Sequence, residues 1–490
     1  MKASRKSNAI ALSLSKSATG VMGMLILVAL ARGLTKEDFA AYQQAILAYA
    51  VIAPFLQMGI GQGIYYFLPV EKTRPRGRVV DAIFALGIAG IAYALFLACG
   101  GNHLLARSFS NPQVASLLLW MIPYSIFTTP TSQVGPVLIA SDRVKTSSAF
   151  AILREIAVGM ATVLPVLIWS TASAPLIGNA IASSLLGIAA IKLMIQATPP
   201  GPSRPSLSAV RELLAYSFPL GLALMLGMLS KQLDKFIVSF MSDPERFAVY
   251  ALGAMEIPLI TIVTGSITAV VMVDLRQAID EGRIKDSARL FRTIAEKSAY
   301  ILLPAMFFFL VAADSLMTAF FSNEYAASAE PFRIYLATIP TRIVILGSLL
   351  AALGQSKTIL KLTFIGLLLN LGLSILLVDR LGPNGAAIAT VVVLLLWSVP
   401  AYLRAIGRST GIPWKTFIPW APLGNATLFL LGPTALIAIL EYSLDSWASW
   451  SRLALQAILF GTPVILWWGS GKLFTWHELK SRFNSVKSNS

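Results

Sequence analysis

The sequence is poor in charge. Asp, Glu, Lys and Arg supply only 13% of its 490 residues, about half the share of a soluble domain, while hydrophobic residues supply 56%. Mean hydropathy is +0.73. That much apolar surface cannot be hidden in a water-soluble core, so a soluble enzyme or regulator is excluded. Cysteine is almost missing: Cys99 is the only one, which rules out an intramolecular disulfide. His103 and His477 are the only histidines and stand far apart, so no metal site is expected. The sequence has no phosphate-binding loop, no G-x-S-x-G elbow and no large outer loop bearing a carboxylate pair. These absences argue against an ATP-driven pump and a membrane glycosyltransferase or polymerase, and the chain reads as a non-enzyme. The GIGQG stretch at 59–63 has the wrong spacing for a dinucleotide fingerprint.

Long apolar runs dominate instead. About fourteen stretches long enough to cross a hydrocarbon layer follow one another, from 10–33 and 40–68 to 416–440 and 450–470. The expected fold is therefore an all-α polytopic membrane protein. The net charge of +16 could suggest nucleic acid, but the basic residues fall on alternate loops. With the N-terminus (Lys2, Arg5, Lys6) in the cytoplasm, about 27 Lys and Arg lie on that side and about six on the other. This bias places both termini in the cytoplasm and assigns the charge to topology, with no nucleic acid as partner. Ala29-Leu30-Ala31 imitates a signal-cleavage site, but Lys16 interrupts the apolar run, so the first span is expected to be retained.

One short pattern occurs twice. EDFAAY at 37–42 and ERFAVY at 245–250 share Glu, Phe, Ala and Tyr in register, on the outer loops that join spans one to two and seven to eight. Six spans intervene, so the copies have the same orientation and imply parallel, duplicated halves. Phe and Tyr of each copy are expected at the membrane interface, with the acid capping a helix start. The segment 198–212, with four prolines, reads as a linker. The expected organisation is an N-terminal lobe at 1–197, the linker, a C-terminal lobe at 213–410, two added helices at 411–470 and a basic cytoplasmic tail at 471–490. Gly59, Gly61, Gly63, Pro54, Pro219 and Pro258 lie inside spans, where they bend helices or let backbones approach. Residues 274–297 read as an amphipathic helix anchored on the cytoplasmic surface.

The stretches ALARGLTKEDFAAYQQA, MGIGQGIYYFLP and SFPLGLALMLGMLSKQLDKFIVSFMSDPERFAVYALGAMEIP carry a resemblance. Together with the span count and lobe boundary, they are similar to the Wzx-type polysaccharide flippases. These share a superfamily with the lipid II flippases and the multidrug and toxin extrusion transporters. The resemblance implies two six-helix lobes in a V around a central cavity, two further C-terminal helices, and alternating access to the two leaflets of the inner membrane. It implies as cargo a polyprenyl-diphosphate-linked oligosaccharide repeat unit for O-antigen, capsule or exopolysaccharide. Membrane lipids, a polysaccharide polymerase and a chain-length regulator are the further partners it brings. A multidrug antiporter and a lipid II flippase of the same superfamily stay open as alternatives, as does a non-transporting assembly scaffold.

Charges stranded within spans mark where a substrate could sit. Lys16, Arg154, Lys231, Lys235, Arg333 and Arg342 remain once the loops are counted. A cation at a helix centre costs on the order of 2.5–3.5 kcal/mol on insertion scales, so each should face a cavity or a partner. Arg342, Lys16, Lys231, Lys235 and Arg154 are the candidate cationic lining for an anionic, diphosphate-bearing substrate. Arg333 lies nearer the interface and can snorkel. Asp234 and Glu256 are the candidates for coupling to H+ or Na+; no other cofactor is expected. Each has a plainer reading: Lys231 and Asp234, three apart, can pair on the helix surface, and Glu256 precedes a proline kink.

Overall fold

The structure is a computed structural model that describes residues 2–265, 281–344, 346–444 and 447–469. Every regular element among the described residues is helical. In lipid a spanning backbone must satisfy its own hydrogen bonds, and an apolar chain of this composition does so by helix formation. In chain order the first helices are α1 (Lys2–Gly33), α2 (Lys36–Gln57), α3 (Ile60–Phe67), α4 (Pro75–Phe96), α5 (Asn102–Ser108), α6 (Gln113–Leu119), α7 (Met121–Thr131) and α8 (Val134–Ala140). Then follow α9 (Val144–Ile168), α10 (Ser173–Gln196), α11 (Leu207–Met241), α12 (Pro244–Gly253), α13 (Pro258–Gly265), α14 (Ile284–Phe321) and α15 (Ala329–Leu336). The last are α16 (Ile339–Ile343), α17 (Leu346–Ala352), α18 (Ser356–Leu381), α19 (Asn384–Val393), α20 (Val399–Thr410), α21 (Trp420–Leu444) and α22 (Ser449–Trp467). Ten helical stretches among the described residues are long and apolar enough to cross a membrane, or fourteen when each bent pair counts as one span. The upper figure is the count expected from hydropathy.

The chain packs as two compact units that do not follow the sequence halves. The first holds Met1–Pro258 and Ser356–Val393; the second holds Leu259–Gln355 and Leu394–Ser490. In the first unit α11 and α12 pack on α2, and α18 packs on α11, so helices of the second sequence half join those of the first.

The contact of α11 with the α2–α3 bend has a simple cause. Pro54 lies inside α2, and Met58 and Gly59 both take left-handed backbone angles (φ 47° and 66°), which turn the chain from α2 into α3. There the backbones of Gly59 and Gly221 almost touch: a Cβ on Gly221 would lie 2.4 Å from the Gly59 Cα. Only glycine fits at such a crossing. Farther along α2, Gln44 is wholly buried (0% exposed) and ties three segments together. Its Nε2 donates to Ser239 Oγ of α11 at 3.0 Å and to the Phe109 carbonyl at 3.3 Å, and its Oε1 accepts from Asn111 Nδ2 at 2.8 Å.

The repeated motif opens two helices that pack on one another, α2 and α12. Thr35 accepts from the Asp38 N–H and Asp243 from the Arg246 N–H as hydrogen-bonding caps, and Glu37 and Glu245 stand in the first turns, where the helix dipole favours an acid. Phe39, Tyr42, Phe247 and Tyr250 are buried inside the protein and are not interfacial. A pattern of alternating large apolar and small residues suited helix contact better than the water boundary.

At the other end of α11 lies a charged latch. Arg78 bonds Glu71 at 3.1 Å and Glu212 at 2.5 Å. Asp81, buried, faces Arg74 at 3.3 Å and accepts from the Ser206 N–H at 2.8 Å. Arg74 and Arg76 donate to the carbonyls of Arg204 and Thr198, so the proline-rich connection is pinned. Residues 207–212, assigned to the linker from sequence, belong to α11.

In the second unit α14 runs unbroken for 38 residues. Residues 274–280 lie outside the described residues, as does the basic tail 471–490. From Ile284 onward, the segment expected to be a surface-bound amphipathic helix is instead the first part of α14. Its apolar stripe (Ala288, Phe291, Ala295) is buried in the protein, with the Phe291 ring 6.1 Å from that of Phe417. An apolar stripe has the same spacing whether it meets lipid or another helix. Farther along, α14 packs on α21 and α22; Trp468 Nε1 donates to the Tyr300 carbonyl at 3.0 Å.

The latch yields a pH prediction. The Thr73 hydroxyl, together with the Arg74 N–H and the Arg78 guanidinium, outweighs partial burial and lowers the Glu71 carboxyl from 4.5 to about 2. A carboxyl depressed by folding adds stability that is full above its unfolded value and fades as pH falls toward the folded one. Glu71→Gln should therefore melt at a lower temperature than the parent at pH 6 in detergent. The gap should close as pH falls from about 4.5 to about 2, as scanning fluorimetry would show.

Candidate functional site

The cations expected to line one cavity have different surroundings. Lys16 is exposed on α1, which packs along α9 with Gly33 against Val166 and Gly159 against Ile26 and Met22. That parallel register puts Lys16 and Arg154 about one helical turn apart along the pair. Arg154 is half-buried on α9 and acts electrostatically on Tyr49 of α2 and Tyr124 of α7. Lys235 is half-buried on α11.

Lys231 does not pair with Asp234 as the three-residue spacing suggested. Its Nζ meets Glu256 Oε1 at 3.2 Å, with side-chain exposures of 61% and 49%. Asp234 turns the other way, is 5% exposed, and accepts from the Tyr250 hydroxyl of α12 at 3.0 Å. The α12 helix, packed beside the end of α11, supplies this phenol at hydrogen-bond distance, which the primary spacing could not show.

In the second unit Arg342 is half-buried in the last turn of the short helix α16, just before Val344 leaves helical geometry. The continuous span expected at 330–353 is thus broken around α15, α16 and α17. A guanidinium at a helix C-terminus is favoured by the backbone dipole, a reason for the position that needs no substrate. Arg333 does not simply snorkel: it makes a bidentate pair with Asp314 of α14, and its Nε donates to the Leu310 carbonyl at 3.2 Å.

Several polar groups escaped sequence reasoning. Beside α11, Asn370 and Ser374 of α18 form a buried network: Ser374 Oγ donates to Asn370 Oδ1 at 3.0 Å, and Asn370 Nδ2 donates to Thr390 Oγ1 of α19 at 3.3 Å. Their i,i+4 spacing in an apolar run was the available signal. A second group clusters around Tyr49, whose hydroxyl shares a 3.0 Å hydrogen bond with Thr129 and whose ring meets Tyr124 and Tyr93 edge-on at 5.0 and 5.9 Å. Among the described residues no set of three His, Cys, Asp or Glu side chains could hold a metal.

These burials separate the carboxylates by consequence. An exposed ion pair contributes ~0–1 kcal/mol. Removing Asp234 strands a buried phenol at a cost of ~1–3 kcal/mol. In detergent unfolding titrations, Lys231→Ala and Glu256→Ala should stay close to the parent, and Asp234→Ala should be clearly weaker.

The fold itself is shared with solved transporters. Lipid II flippase MurJ, in an inward closed conformation, superposes with a TM-score of 0.74 at 16% identity, covering 94% of this chain and 97% of that one. An inward-facing multidrug resistance MATE family transporter of the MOP superfamily follows with 0.62 at 14% identity, covering 82% and 98%. A mutant of the Vibrio cholerae MATE transporter VcmN gives 0.55 at 16% identity, covering 83% and 98%. At such identities the likeness establishes an all-α, two-lobe architecture. No curated protein matches the sequence. The family model described as "Polysaccharide biosynthesis protein" matches residues 6–273, more than half of the chain, and the chain therefore belongs to the polysaccharide biosynthesis protein family.

Proposed function

We propose that the protein is a transporter that moves a polyprenyl-diphosphate-linked saccharide from the cytoplasmic to the outer leaflet of the inner membrane by alternating access. The observation that carries this reading is the retention of costly cations within membrane spans, on a fold that solved flippases and extruders share. Lys16, Lys231, Lys235, Arg154 and Arg342 are the side chains to which we assign the diphosphate. Guanidinium and ammonium groups meet phosphate oxygens in charge-assisted bonds, while the prenyl tail stays in lipid. Both termini are cytoplasmic in this reading, and the moving bodies are the lobes at 1–197 and 213–410.

The contacts along α11 suggest how access alternates. The Gly59–Gly221 crossing has the form of a pivot, with the Gln44–Ser239–Asn111 bonds toward one end of α11 and the Arg78–Glu212 latch at the other. Opening toward either face breaks one set and keeps the crossing. Asp234, buried against Tyr250, is the better placed of the two acids to take up H+ or bind Na+ during that change. Glu256 is already neutralised by Lys231.

Two saccharide cargoes suit different observations. Family membership favours a repeat unit of O-antigen, capsule or exopolysaccharide, handed on to a polymerase and chain-length regulator. The fold likeness to MurJ over 94% of the chain favours a lipid II-type cargo. The deciding experiment deletes the gene in its host and follows which membrane face accumulates lipid-linked saccharide. Accumulation on the cytoplasmic face, reversed by the intact gene and not by a normally inserted Arg342→Ala variant, is expected. Loss of surface polymer alone identifies a repeat unit, and arrested wall synthesis identifies lipid II. Unchanged saccharides with new sensitivity to cationic drugs would sink the proposal in favour of a multidrug antiporter.

A further inference from the structure

The tyrosine cluster of the first unit is more than core. It draws on four helices: Tyr42 and Tyr49 of α2, Tyr93 of α4, Tyr124 and Thr128 of α7, and Arg154 with Glu155 of α9. Rings touch in sequence from Tyr93 to Tyr49 to Tyr124, at 5.9 and 5.0 Å between centroids. Beyond them stand the Arg154 guanidinium and the Glu155 carboxylate, both within electrostatic reach of Tyr124. Tyr93 and Tyr49 are 6% and 7% exposed, whereas Tyr124, Arg154 and Glu155 are half-buried, so the row runs from a buried end to a partly exposed one.

One hydroxyl in this cluster lacks a protein partner. The Tyr93 hydroxyl is buried and makes no hydrogen bond, whereas the Thr128 hydroxyl bonds the Tyr124 side chain. An unmade bond of a buried hydroxyl costs about 1–3 kcal/mol, and most buried polar groups in native proteins are satisfied. Tyr49 shows the alternative within the same cluster, since its hydroxyl is satisfied by Thr129. The orphan Tyr93 hydroxyl, an arginine and a carboxylate therefore form a set able both to donate and to accept, set against aromatic faces. That chemistry suits neither an inorganic anion, which the Glu155 carboxylate repels, nor a cationic drug, which the Arg154 guanidinium repels. It fits a neutral pyranose, whose hydroxyls donate and accept and whose C–H face packs on an aromatic ring.

We propose that this cluster is a saccharide subsite, in which Arg154 and Glu155 bind ring hydroxyls at the partly exposed end, Tyr124 offers its face, and the Tyr93 hydroxyl takes up a deeper oxygen. The proposal rests on the reading of a lipid-linked saccharide as cargo, and it moves Arg154 from diphosphate binding to sugar recognition. Specificity for the glycan then resides within the first helices of the chain.

The test uses the purified full-length protein in detergent and saturation-transfer NMR with free hexoses, N-acetylhexosamines, deoxyhexoses and uronic acids as probes. At least one pyranose should show transfer to its ring protons, weakened roughly fivefold or more by Glu155→Gln and by Tyr93→Phe, the loss expected for single hydrogen bonds. Tyr93→Phe removes only an oxygen, and melting curves confirm that each variant is folded. Binding unchanged in both folded variants, or no transfer to any probe, overturns the subsite. The transport reading is scored separately by the leaflet assay: transport that survives in Glu155→Gln and fails in Arg342→Ala leaves that reading intact and removes this one.

Discussion

The first unit depends on how closely one helix can approach the bend in another. With glycine on both sides of the crossing, α11 lies against the α2–α3 junction at backbone distance. Lipid tails are as apolar as leucine, so helix association in a membrane draws on close packing and hydrogen bonds and gains little from burial of apolar area. The crossing supplies that packing, and it brings the ends of α11 within reach of their polar partners. Without it Gln44 could not reach Ser239, nor Arg78 reach Glu212, and both would be polar groups stranded at the boundary of an apolar solvent.

The architecture was largely legible in the sequence, because a membrane imposes one strong rule on chain composition. Span number and the all-helical class follow from run length, and the short helices at α6–α8 and α15–α17 blur only the boundaries. The repeat pointed correctly to matched helix starts; the hydrogen-bonding caps lie two residues before the motif in both copies, on Thr35 and Asp243. Partners were less legible. Lys231 has Asp234 three residues away yet reaches Glu256, and Arg333 finds Asp314 on another helix. Primary spacing describes only neighbours on the same helix, and the partners of Lys231 and Arg333 lie outside the helix that carries each. The amphipathic stripe of 284–295 failed for a related reason, since Phe417 covers it from a distant part of the chain.

The cations within the spans thus reach tolerable environments by separate routes. Arg333 is neutralised by a carboxylate, Arg342 ends a helix, Lys231 keeps largely to the surface with an acid beside it, and Arg154 faces phenols. A uniform positive lining is the simplest picture from composition. The structure divides the same charges among distinct chemical settings.

The length of α14 has a mechanical consequence. Thirty-eight helical residues rise about 57 Å, nearly twice the hydrocarbon thickness of about 30 Å, so a large part of the helix stands outside the apolar layer. A continuous helix transmits displacement along its axis. A force applied at the basic end, by a lipid headgroup or a neighbouring protein, is carried toward Asp314 and Arg333 near the far end. Pro304, inside the helix, is the place where such a lever would bend.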